Sequence, residues 1–338
     1  MSDPRRLRLG ILGAANIAPR AVIAPARVHT EVDVTAVAAR DRVRAETFAT
    51  RYGIPRVMDS YEALIADPEI DAVYIPLPNG LHGRWTLAAL EAGKHVLCEK
   101  PLAANAEEAR TVAAAAERTG KVVMEAFHYR YHPLALRMHE IMESGVLGPL
   151  RYVEAGLCFP LPRFSDIRYS FALAGGAQMD AGCYAVHIVR MLGGADMADA
   201  ETEPEVLSAR PRLQTPEIDR AMQSELRFPA GHAGRVRCSL WSTDLIRLSA
   251  RAVGEKGEMR VLNPVAPQIW HRLSLRSRDG TRVEHLPRRP SYAYQLDAFA
   301  DAVLRDKPLL TPAKDSVANM AVIDAIYEKA GMPLRKPA

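Results

Sequence analysis

The 338-residue chain reads as an α/β protein. A doubly wound parallel sheet is expected over residues 1–125. An α+β part with a large, mostly antiparallel open sheet is expected over 126–338. Three observations predict this. Apolar strand runs alternate with helically spaced segments throughout the first part. A small-residue turn, Gly13-Ala14-Ala15-Asn16-Ile17-Ala18, follows the first strand run directly. Beyond residue 150, short strands joined by hairpin turns dominate, and two amphipathic helices close the fold, with room to pack back on the first part.

In order, Leu7 to Leu12 reads as a buried strand and Arg20 to Arg27 has helical spacing. The turn between them, Gly13 to Ile17, can cradle a pyrophosphate on backbone N–H groups at a helix N-terminus. Ala15 and Ala18 stand where a GxGxxG pattern has glycines, so alone this stretch reads about equally as a plain strand–helix turn. Val32 to Ala39 is the second strand, ending in Arg40-Asp41. An acid at that strand end bonds the ribose hydroxyl of NAD, whereas an arginine pairs with the 2′-phosphate of NADP. Arg40, beside Ala39, argues for NADP; Asp41 keeps NAD as the alternative.

Arg42 to Tyr52 is a helix stopped by Gly53, and Ser60 caps a short helix over Tyr61 to Ala66. Asp71 to Ile75 is a strand leading into Pro76-Leu77-Pro78-Asn79-Gly80-Leu81-His82. Loops at the carboxyl ends of parallel strands form the ligand crevice, so Leu77, Pro78, Asn79 and His82 are contact candidates. A helix over Trp85 to Ala92 precedes the strand His95-Val96-Leu97-Cys98, which ends in Glu99-Lys100-Pro101. A strand end does not call for a charged pair, and the proline forbids continuing the ladder. Helix Ala106 to Arg118 and strand Lys121 to Ala126 complete the first part.

The second part opens with Phe127 to Pro133 and a helix over Leu134 to Ser144. Strands are expected over Arg151 to Cys158, Glu225 to Phe228, Gly234 to Trp241, Leu245 to Val253, Glu258 to Leu262, Ile269 to Arg276 and Thr281 to His285, then helices over Tyr294 to Leu304 and Lys314 to Ala330. After Gly175-Gly176, Gln178 to Leu192 carries helical spacing, and Asp180 and Tyr184 share one helix face. On spacing alone, that pair reads first as capping and packing.

Composition narrows the function. A net charge of +4 gives no argument for nucleic-acid binding. No apolar run approaches the roughly 20 residues of a membrane helix. Arg5-Arg6 lacks the apolar run of an export signal. The 4 cysteines form no CxxC pair, which fits a reducing compartment; a cytoplasmic location is expected. His128 and His132 are helically spaced without a third ligand, so no metal site is expected.

The run Val73 to Pro78 with Asn79 and His82, then Ala92-Gly93-Lys94-His95-Val96-Leu97-Cys98-Glu99-Lys100-Pro101, resembles the signature of the Gfo/Idh/MocA oxidoreductases. Glu125 to Pro133 and Gly175 to Tyr184 are similar to the subgroup of glucose-fructose oxidoreductase, D-xylose dehydrogenase and dimeric dihydrodiol dehydrogenase. The resemblance covers nearly the whole chain. It implies a Rossmann domain, a homodimer or higher homo-oligomer, and a lysine near nicotinamide and substrate oxygen, matched by Lys100 beside Glu99. Asp180-Ala181-Gly182-Cys183-Tyr184 has tyrosine where inositol dehydrogenase-like members have histidine. Ala177 and His187 depart from the subgroup pattern.

Free tyrosine titrates near pH 10, so the ammonium of Lys100 is expected to favour the phenolate of Tyr184, with Asp180 in support. Arg168, His187 and Phe127 are weaker substrate-contact candidates. The expected activity is NADP-dependent hydride transfer at a secondary alcohol or ketone of a sugar, polyol or cyclic diol. The alternatives are a reductase of a nucleotide-linked keto-sugar and an NADP(H)-binding redox sensor with little turnover.

Overall fold

The structure is a computed structural model that describes residues 6–195 and 199–338; Arg5 of the Arg5-Arg6 pair lies outside the described residues. Its first sheet has 6 parallel strands in the order β3-β2-β1-β4-β5-β6. These are β1 (Leu7–Leu12), β2 (Val32–Ala38), β3 (Arg56–Met58), β4 (Ala72–Ile75), β5 (His95–Cys98) and β6 (Val123–Glu125). The helices between them are a π turn, Pro19–Ile23, running into α1 (Ala24–Val28), then α2 (Arg42–Tyr52), α3 (Tyr61–Ala66), α4 (His82–Glu91) and α5 (Ala106–Thr119). Strand order reverses between β1 and β4, so their carboxyl ends splay into a crevice. Local signals set the helix starts: Ser60 Oγ accepts from Ala63 N–H at 3.0 Å, and Asn105 Oδ1 from Glu108 N–H at 2.9 Å. The sequence does not predict β3, because 3 half-buried residues carry no readable alternation.

The second sheet has 8 strands in the order β14-β13-β12-β11-β7-β10-β9-β8. After α6 (Pro133–Glu143) come β7 (Leu150–Cys158), α7 (Cys183–Gly193), β8 (Glu205–Thr215), β9 (Ile218–Arg227), β10 (Ala233–Ser239) and β11 (Arg247–Gly254). β12 (Glu258–Leu262), β13 (Arg272–Ser277), β14 (Gly280–Glu284), α8 (Ser291–Arg305) and α9 (Ala313–Lys329) follow. Most pairs are antiparallel, but β10 runs parallel to β7, with Val236 opposite Ala155. The expected strand Glu225 to Phe228 is the tail of the much longer β9. β8 escapes prediction because Pro211 interrupts it; as the sheet's edge, the strand tolerates the missing N–H.

One face of this sheet is buried. Val153, Ala155 and Leu157 point inward with Val236, under the apolar side of α7 at Val186 and Val189. The parallel sheet has its own core, including Leu9, Ile11, Tyr74 and Leu97; Leu296 and Phe299 of α8 pack into it. No helix among the described residues is long and apolar enough to cross a membrane.

Candidate active site

The turn after β1 is shaped as a cradle. Gly13 has φ +113°, a conformation open to glycine, and a Cβ there would come within 3.0 Å of Leu77. Gly13 N–H donates to Ala38 O at 2.7 Å, tying the turn to the end of β2. The N–H groups of Ala14, Asn16 and Ile17 make no hydrogen bond within the chain among the described residues. Free N–H groups at a helix entry fit a dinucleotide pyrophosphate. Beside the turn, Arg40 is exposed and Arg44 Nη2 donates to Ala14 O at 2.8 Å. Asp41 is engaged as the N-cap of α2, its Oδ1 accepting from Arg44 N–H at 3.1 Å. Arg44 is absent from the sequence reading; its signal was a spacing of one helical turn from Arg40.

The Cys98-Glu99-Lys100 strand end brings Lys100 to the segment that carries Tyr184. The Lys100–Pro101 peptide is cis. Lys100 Nζ donates to Asp180 O at 2.8 Å and to Asp180 Oδ1 at 3.2 Å, and it lies 4.9 Å from the centre of the Tyr184 ring. Arg168 Nε donates to Asp180 Oδ2 at 3.1 Å, and its Nη1 to Asp166 Oδ1 at 3.2 Å. Burial works against charge on Lys100, but the Asp180 carboxylate outweighs it and raises the lysine pKa. Burial likewise opposes ionisation of Asp180, and the Lys100 and Arg168 cations overcome it, holding the carboxyl below its ordinary value.

A glycine turn supports this geometry. Gly176 has φ +127°, and a Cβ there would meet Asp219 Oδ1 at 2.2 Å. Asp219, fully buried, accepts from Gln178 N–H at 2.7 Å and from Arg335 Nη2 at 2.8 Å. Gln178–Gly182 forms a π turn that runs into α7, so Asp180 and Tyr184 flank Lys100.

One expectation about charge is overturned. The Tyr184 phenol is pushed well above 10, and burial is the first cause. With Lys100 Nζ over the ring, 4.9 Å from its centre, the shift still runs upward. The Tyr184 hydroxyl makes no hydrogen bond within the chain among the described residues.

The other candidates divide. Leu77 lies against Gly13 of the cradle, Pro78 and Asn79 follow in the same loop, and Asn79 Nδ2 donates to Ala174 O at 3.1 Å. Glu99, partly buried, accepts from Tyr74 Oη at 2.7 Å. His82 is a correction. It is buried, with Nδ1 2.7 Å from Pro101 O and Nε2 2.7 Å from Leu77 O, so it pins two loops and has no ring nitrogen to offer a ligand. His187 is another: its Nδ1 meets Tyr129 Oη at 2.6 Å and its Nε2 meets Asp315 Oδ2 at 2.9 Å. Phe127 is fully buried, stacked on His187 at 4.3 Å and edge-on to Tyr184 at 5.2 Å, so it backs Tyr184 without facing the crevice. His132 Nδ1 accepts from Leu134 N–H at 3.0 Å and caps α6. Tyr292 is a residue the sequence reading missed. Its ring packs tilted against His128, centres 4.0 Å apart, and adjoins Glu99 and Tyr184, with no local signal linking it to them.

Comparison with known proteins agrees with this geometry. A family model described as "Oxidoreductase family, NAD-binding Rossmann fold" matches residues 7–127, and one for the GFO/IDH/MocA C-terminal domain matches 135–260. The chain is 38% identical to D-xylose 1-dehydrogenase (NADP(+)) 2 of Haloferax volcanii, covering 96% of this chain and 97% of that one. It is 36% identical to trans-1,2-dihydrobenzene-1,2-diol dehydrogenase of Mus musculus, over 77% and 76% of the two chains. A solved 3-ketoreductase from Actinomadura kijaniata, in complex with NADP and TDP-benzene, superposes with a TM-score of 0.86 at 27% identity, over 96% of this chain and 98% of that one. With cradle, lysine and both family models in register along one polypeptide, the chain belongs to the Gfo/Idh/MocA family of NAD(P)-dependent oxidoreductases acting on CH–OH groups.

Proposed function

We propose that the chain is an NADP-dependent oxidoreductase transferring hydride at a secondary alcohol or ketone of a sugar, polyol or cyclic diol. Residues 1–125 bind the dinucleotide and residues 126–338 bind substrate. The observation that carries this reading is Lys100 Nζ, held between Asp180 and the face of Tyr184 at the end of β5. When bound, the nicotinamide gives or takes the hydride. The chain's own groups handle the oxygen. Lys100, kept charged by Asp180, polarises it electrostatically. The Tyr184 phenol, favoured by burial, donates its proton to the oxygen during reduction and is left as phenolate; in the oxidative direction that phenolate takes the proton of the substrate hydroxyl.

Two observations support NADP: Arg40 and Arg44 flank Tyr61 beside the cradle, and Asp41 is spent as a helix cap. For substrate, the ion pairs of Lys100 and Arg168 with Asp180 and Asp166 cancel, which suits a neutral polyol. A second reading, reduction of a nucleotide-linked keto-sugar, draws on exposed Arg163 and Phe164 in the loop before Arg168. The buried free cysteines fit a cytoplasmic location. The open face of the eight-stranded sheet is the proposed homodimer contact, which light scattering at micromolar concentration tests.

The deciding experiment follows nicotinamide absorbance with NADP or NAD against D-xylose, other aldoses, inositols, cyclic diols and, in reverse, keto-sugars. Tyr184→Phe should lower turnover by roughly a hundredfold, the scale of a lost acid–base group. Unchanged turnover in that variant refutes the assignment. Tight NADP binding without turnover on any member favours the nucleotide-linked substrate or the redox sensor.

A further inference from the structure

The segment 311–319, at the start of α9, touches both halves of the proposed site without reaching its surface. Toward the parallel sheet, Thr311 Oγ1 donates to Glu125 O at 2.7 Å, and Glu125 N–H donates to Thr311 O at 3.0 Å. Ser316 Oγ donates to Glu125 Oε2, while Glu125 Oε1 accepts from Leu102 N–H at 3.0 Å. Glu125 is therefore clamped between α9 and the turn that carries Lys100. Toward the second sheet, Asn319 Nδ2 donates to Cys183 O at 3.3 Å, next to Tyr184. Asp315 accepts from Arg190 Nη1 at 2.9 Å and pairs with His187 Nε2, one turn along α7 from Tyr184. Thr311, Ser316 and Asn319 are fully buried, and Asp315, Glu125, His187 and Arg190 nearly so. Packing and low local dielectric make such a network a stiff link.

We propose that segment 311–319 is a bracket that sets the distance between Lys100 and Tyr184, with Ser316, Asp315 and Asn319 as positioning residues for hydride transfer. Lys100 follows β5 of the first sheet and Tyr184 stands on α7, packed on the second, and their segments meet directly at the Lys100–Asp180 contact, which lies in the reacting region. The bracket supplies a second, buried tie whose partners take no part in the chemistry. This inference rests on the assignment of Lys100 and Tyr184 to the reaction.

Two readouts test it. With NADP and D-xylose as probes, Ser316→Ala should lower kcat by roughly tenfold or more, since small misplacements of reacting groups are costly. KM for NADP should stay within about twofold, because the cradle lies elsewhere. Ser316→Thr, which keeps the hydroxyl, should restore kcat. Amide hydrogen exchange supplies the substrate-independent readout. Ser316→Ala should speed exchange across the bracket, at 178–187 as well as 99–104; Asn319→Ala, cut on the other side, should do the same at 99–104. Exchange raised only on the mutated side, or an unchanged kcat in Ser316→Ala, overturns the bracket. If Lys100→Met and Tyr184→Phe keep full turnover, the reading of the chemistry falls instead, and the exchange result still judges the bracket.

Discussion

Glu125 should make stability fall as pH rises. Burial pushes its carboxyl from 4.5 up to about 7, and the nearby Asp315 carboxylate adds to the rise, while the Ser316 hydroxyl, Leu102 N–H and the Arg190 cation moderate it. A raised folded-state pKa means the native state holds a proton that the unfolded state has released. Its stabilising contribution is therefore full below pH 4.5 and is lost as pH climbs through 7. At roughly 1.4 kcal/mol per pKa unit, the integrated loss between pH 5 and 8 is on the order of 2–3 kcal/mol. With Glu125 at 1% exposure, solvent does little to screen it. The assay is urea unfolding at pH 5, 6.5 and 8 for the parent and Glu125→Gln. Glutamine keeps the Leu102 bond, its carbonyl accepting from that N–H, and reverses the Ser316 bond, its amide donating to Ser316 Oγ. The variant's stability should drop less than the parent's by roughly 2–3 kcal/mol across that span. Parallel pH curves for the two proteins would refute the reasoning.

Three further predictions concern separate parts of the molecule. Asp180→Asn removes the counter-charge that raises Lys100, so the lysine pKa falls, the alkaline limb of the kcat profile moves to lower pH, and a limb that stays in place refutes the pairing. Arg40→Ala combined with Arg44→Ala should weaken NADP binding by roughly tenfold to a hundredfold in calorimetry, the scale of lost charge-assisted bonds, with NAD binding unchanged. An equal loss for both nucleotides would show that these arginines serve the fold instead. Asp219→Asn should destabilise the chain by about 3–5 kcal/mol in denaturant melts, because it strands Arg335 at 0% exposure; a change below about 1 kcal/mol contradicts the burial argument.

Legibility in the sequence followed the range of the interactions. Helix α2 matches its predicted span, Arg42 to Tyr52, and Ser60 caps α3 as expected, because N-caps and glycine stops act within a few residues. The cradle and the Lys100 strand end were readable for the same reason. The parallel pairing of β7 with β10 was not, since no local pattern marks strands that distant as neighbours. His187 was misplaced because its partners, Tyr129 and Asp315, lie 58 and 128 residues away. Spacing could not bring Lys100 to Asp180, 80 residues apart, so Asp180 was expected only in a supporting role. The direction of the Tyr184 shift depends on enclosure and on where Lys100 lies over the ring, neither of which a linear pattern encodes.

The docking of α8 bears on how this polypeptide matures. Leu296, Phe299 and Ala300 are buried with the strands of the first sheet, although they arrive some 170 residues after β6. A nascent chain that has emerged only through β6 exposes the apolar patch that α8 later covers. The end of the first sheet is thus a boundary in architecture and not in assembly. Truncation after residue 125 should give an aggregation-prone fragment, whose missing piece is a helix synthesised nearly last.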